Sequence, residues 1–67
     1  MLTKWERADA AFFFYELGDP IGVVARVREW GGEMYWTAIL RGKTVGAAAT
    51  AWGAMAKLKG QYDATWN

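Results

Sequence analysis

At 67 residues, with eight basic and seven acidic residues and a formal charge of +1, the chain is one small domain. It lacks the net field that gathers nucleic acid or an anionic membrane surface. It has no cysteine and no histidine, which removes disulfides, thiolate clusters, the commonest zinc sites and most nucleophile–base pairs.

In place of such staples the sequence carries five Trp, three Tyr and three Phe. Each ring can bury about 150–250 Å², so a core role is the first expectation for any of them. Residues 1–9 form an arm or a short strand, with Thr3–Arg7 as its extended part and Trp5 pinning it to the body. They lack the apolar run of a signal peptide, and no stretch approaches the roughly 18 apolar residues of a membrane span. The expectation is a cytoplasmic protein with no membrane partner.

Residues 10–46 read as a β-meander. Ala10–Leu17, AAFFFYEL, places large rings on both faces of a strand because successive side chains alternate. It stops at a turn over Gly18-Asp19-Pro20, where Pro20 removes a backbone donor. Ile21–Trp30 alternates, with Ile21, Val23, Ala25 and Val27 on one face and Val24, Arg26, Arg28 and Trp30 on the other. Gly31-Gly32 reads as a two-residue hairpin connection. Glu33–Leu40 is the next strand, Arg41-Gly42 a tight turn, and Lys43–Val45 a short returning strand.

From Gly46 the sequence turns alanine-rich and loses its β-branched residues, which predicts a helix over 50–62. Thr50 is the N-cap candidate, and Ala51, Met55, Leu58 and Tyr62 form the sheet-facing stripe. The opposite side is a strip of small residues, Ala49, Gly53, Ala56 and Gly60. Glycine inside a helix costs about 1 kcal/mol against alanine, so close approach by another backbone is one explanation. Residues 63–67 form a tail whose Trp66 either folds back or stays free. The fold class is α+β: a three- to four-stranded antiparallel meander followed by one C-terminal helix packed on one face.

No chemistry-bearing constellation emerges. Glu16 and Asp19 bracket the first turn and Glu29 and Glu33 the second, as solvated turn residues do. Gly42-Lys43-Thr44 lacks the upstream glycine of a phosphate-binding loop. No catalytic, metal or cofactor residue is assigned, and the expected protein is not an enzyme.

One helix covers one sheet face, so bulk is left over on the other. Phe12, Phe14, Val24 and Trp30, or their opposites, are the candidates for an interface, together with Ala49, Gly53, Ala56 and Gly60. The expected role is stoichiometric binding to a protein partner, with a homodimer as one form. The alternative is nucleic-acid binding through Arg26 and Arg28 on the strand face and Arg41 and Lys43 at the neighbouring turn.

Two resemblances bear on these readings. A three-stranded sheet followed by a helix, with the pattern GEMYWTAILRGKTVG, resembles the arm-binding domains of phage-type integrases and plant GCC-box domains, which lay the sheet on DNA. More of the chain is covered by a likeness to short phage and prophage proteins. It rests on Trp5 near the start, a G-x-V strand at Gly22–Val24, a glycine-aromatic strand at Gly32–Trp36, a G-x-x-x-G turn at Gly42–Gly46 and an alanine-rich helix. That resemblance implies an inhibitor of a host enzyme or defence complex, as anti-CRISPR proteins are. The FFFY run departs from the common layout and points to a private interface.

Overall fold

Residues 2–29 and 31–65 are described by a computed structural model, in which five strands precede one helix. The strands are β1 (Thr3–Ala8), β2 (Ala11–Glu16), β3 (Asp19–Arg28), β4 (Met34–Leu40) and β5 (Lys43–Ala48). They form one antiparallel sheet in sequence order, and α1 (Ala51–Ala64) follows. The α+β layout stands, with more strands than the three or four expected. The N-terminal segment pairs along β2 as an edge strand, and the return after Arg41-Gly42 extends to Ala48.

Turn chemistry sets the hairpins. Leu17-Gly18 and Arg41-Gly42 are two-residue connections in which both residues have positive φ, 51° and 84° in the first and 51° and 80° in the second. That is the sign pattern of the hairpin turn whose twist matches the flanking strands. The first turn therefore sits earlier than Gly18-Asp19-Pro20. Pro20 lies inside β3, opposite Tyr15, at a register shift between Phe14 and Tyr15. A missing donor is tolerated there because ladder pairing is already interrupted. The β3–β4 connection is longer than a Gly-Gly hairpin: Glu29 N–H donates to Glu33 O at 2.8 Å and Gly32 N–H to Glu29 O at 3.0 Å.

The helix starts where the sequence implies. Thr50 is extended, with φ −126° and ψ 155°, and its Oγ1 accepts from Gly53 N at 3.1 Å. Ala54, Met55, Leu58 and Tyr62 are its buried residues, and they meet Phe14, Val24, Ala38 and Leu40 of the sheet. Trp5 and Tyr62 close this core at one end, their rings 4.8 Å and 5.1 Å from that of Phe14.

Two strand glycines let the helix sit this low. A Cβ on Gly22 would lie 3.0 Å from Leu58 Cδ1 and 3.2 Å from Ile39 O, and one on Gly46 would lie 2.7 Å from Lys57 Cδ. Phe14 and Val24 belong to this covered face at 1% and 0% exposure, so they are core and not interface residues. Their side follows from that of Gly22, which flanks both in the ladder and sits beneath the helix.

Leu58 is fully buried at the centre of the helix–sheet contact. Leu58→Ala is expected to lower unfolding free energy by about 2–5 kcal/mol, read from urea melts. Gly22→Ala should also destabilise, because Ile39 O is backbone and cannot move aside cheaply.

Candidate functional site

The sheet has two unlike faces. On the helix side stand Trp5 and Arg7 of β1, Phe12 and Phe14 of β2, Val24, Arg26 and Arg28 of β3, and Trp36, Ala38 and Leu40 of β4, as alternation and register require. Alternation puts Phe13, Val23, Val27, Tyr35, Thr37 and Ile39 on the other side. Phe13 pairs with Val23 and Val23 with Ile39, which makes an apolar row straight across three central strands. Tyr15 lies beside it, with the Lys4 ammonium 5.4 Å from its ring centre. At the β1 edge Lys4 and Glu6 form an ion pair at 3.1 Å. Among the described residues no element lies over this face, since α1 packs on β3, β4 and β5 from the other side.

The helix also leaves part of its own side bare. Beyond its N-terminus lies a shallow groove of about 780 Å³, lined by Arg7, Asp9, Ala10, Phe12, Arg26, Trp36 and Ala51. The Phe12 and Trp36 rings form its apolar floor, with centroids 5.9 Å apart and planes inclined at 50°. Arg7 is the direct cross-strand neighbour of Phe12, and Arg26 that of Trp36. Arg28 continues the same face, its Nη2 3.5 Å from Met34 Sδ.

The four basic residues singled out in the sequence do not come together. Arg26 and Arg28 lie near the β3–β4 connection, while Arg41 and Lys43 flank the β4–β5 turn at the far end of β4. Arg41 is engaged with Glu16 at 3.5 Å, and the Glu16 carboxylate also accepts from the Tyr62 hydroxyl. A sheet that lies flat on DNA needs its cations on the face away from the helix. Here Arg26 and Arg28 stand on the helix side, so the integrase-like and GCC-box-like docking is not reproduced.

Of the interface candidates, Phe12 is a half-buried floor residue of the groove, and Trp30 lies outside the described residues, as does Trp66. The small-residue strip is not one helix face. Ala49 precedes α1, and Gly53 faces inward, where an added Cβ would lie 2.9 Å from Ala48 Cβ. Ala56 and Gly60 are exposed, and among the described residues nothing lies within 4 Å of a Cβ on Gly60. Gly53 thus has a packing reason, and among the described residues Gly60 has none. Sequence reasoning missed Arg7 as a site residue. Its signal was parity with Trp5, two positions earlier on the same strand.

No family model matches the sequence, and comparison with curated proteins and with solved structures returned no match. Among the described residues no helix is long and apolar enough to cross a membrane, and no group of three or more Asp or Glu is placed to hold a metal ion.

Gly60→Ala is expected to raise unfolding free energy by about 0.5–1 kcal/mol in urea melts, because the added methyl meets no described residue and glycine's helix cost is removed.

Proposed function

We propose that this chain is a non-enzymatic binding protein that acts by stoichiometric association with a protein partner through the uncovered face of its sheet. The observation that carries the reading is the row Phe13–Val23–Ile39, with Val27 and Tyr35 on the same face beyond Ala25 and Thr37, and with no described element over it. A sheet normally buries at least one apolar face, and this one has an apolar face on both sides.

Area supports the same reading. Five strands about 4.8 Å apart and some six residues long present roughly 450–500 Å² of flat face. That is the low end of a specific interface, which suits a reversible complex. A second copy of the chain is one occupant, since two such faces stack about 10 Å apart in a sandwich. Inhibition of a host enzyme or defence complex, which the phage-like layout implies, would need only this kind of occupation and no chemistry from the chain.

A photo-reactive side chain at Val23, compared with one at exposed Gln61 on α1, tests the assignment in extract of the source cells. Cross-linked protein, whether a second copy or another chain, is expected from position 23 and not from position 61. Equal yields from both positions, or none from position 23, would contradict the assignment. Light scattering after size-exclusion chromatography separates the two occupants, because only self-association raises the mass of the purified chain with concentration.

A further inference from the structure

We propose that the groove beside the helix N-terminus binds an unpaired nucleotide, its base against the Phe12–Trp36 floor and its phosphate on Arg7 and Arg26. This site is separate from the uncovered sheet face and does not depend on it. The two arginines stand next to the two rings by cross-strand register: Arg7 beside Phe12 and Arg26 beside Trp36. Cross-strand neighbours have Cβ atoms about 4.5–5.5 Å apart, so each cation is within a side chain's reach of a ligand lying on its ring.

Charge decides the class of ligand. Among the described residues neither Arg7 nor Arg26 has an ion-pair partner, whereas Arg41, Lys4 and Lys59 are each paired with a carboxylate. Guanidinium groups left open beside a tilted aromatic pair match a ligand that carries a flat ring and an anion together. A nucleotide has both, and ring stacking tolerates any base. Paired bases are closed off inside a duplex and cannot reach the floor, so the strand must be unpaired. Asp9 also lines the groove and opposes the anion. It adopts φ 47°, a conformation that asparagine shares readily, so its charge can be removed without disturbing the turn.

The probes are a fluorescein-labelled eight-residue oligo(dT), the same length of duplex DNA, a mononucleotide and inorganic polyphosphate, titrated at low and at moderate salt. Oligo(dT) is expected to bind more tightly than polyphosphate or duplex. Trp36→Ala should weaken it about 5- to 150-fold, the range of one lost base–aromatic stack. Because Trp36 also packs against the core, Arg7→Gln with Arg26→Gln gives a second route through exposed side chains. That pair should reduce the logarithmic salt slope by about 0.7, the value of one phosphate contact on a single strand. Asp9→Asn should tighten binding, and Arg41→Gln with Lys43→Gln should leave it unchanged.

Saturable mononucleotide binding with the same variant response would identify a free nucleotide as sufficient. Response to the oligonucleotide alone would identify a strand. Polyphosphate or duplex binding as well as oligo(dT), or no loss on changing Arg7 and Arg26 in a variant with unchanged circular dichroism, would overturn the proposal.

Discussion

The structure turns on one mismatch: a single helix of 14 residues serves a sheet of five strands. A sheet has two faces and a helix one stripe, so one face is covered in part and the other is left open. The core is consequently small. Among the described residues eight buried hydrophobic ones, four from strands and four from the helix, hold one end of the sheet together. Large rings make up for the small number. Phe14 carries the Trp5 ring on one side and Tyr62 on the other, and the Tyr62 hydroxyl reaches the Glu16 carboxylate, which also holds Arg41.

The same mismatch produces both candidate surfaces. Because α1 is anchored through Leu58 over Gly22 and Tyr62 over Phe14, its first turn stops short of the sheet's other end. Phe12 and Trp36 are left there as a half-buried floor, with arginines of β1 and β3 beside them. The uncovered face is different in chemistry, apolar at its centre with charge at the β1 edge. One surface suits a protein and the other an anion bearing a ring. Their separation on opposite faces of the sheet would let both be occupied at once.

Much of this was legible in the residues. Gly18 and Gly42 announced their turns, Thr50 its cap, and the helix stripe was right at Met55, Leu58 and Tyr62. What alternation could not give was which face the helix takes. FFFY puts bulk on both sides of β2, so Phe12 and Phe14 were as good as Phe13 and Tyr15 as leftover residues. Gly22 and Gly46 held the answer. A glycine inside a strand marks close approach by a neighbour, and both lie under α1. Pro20 misplaced a turn by suggesting a strand end, whereas a register shift accommodates it within β3. Arg41 and Lys43 belong to the neighbouring turn, as the sequence implies, but the length of β4 separates them from Arg26 and Arg28.

Among the described residues only one face of the sheet is covered. Methyl NMR of the dilute protein with a soluble paramagnetic probe reads it directly, since relaxation enhancement falls steeply with distance from solvent. Strong enhancement is expected at the Val23, Val27 and Ile39 methyls, with protection of Val24, Leu40 and Leu58. Equal protection of Val23 and Val24 in the dilute monomer would contradict it.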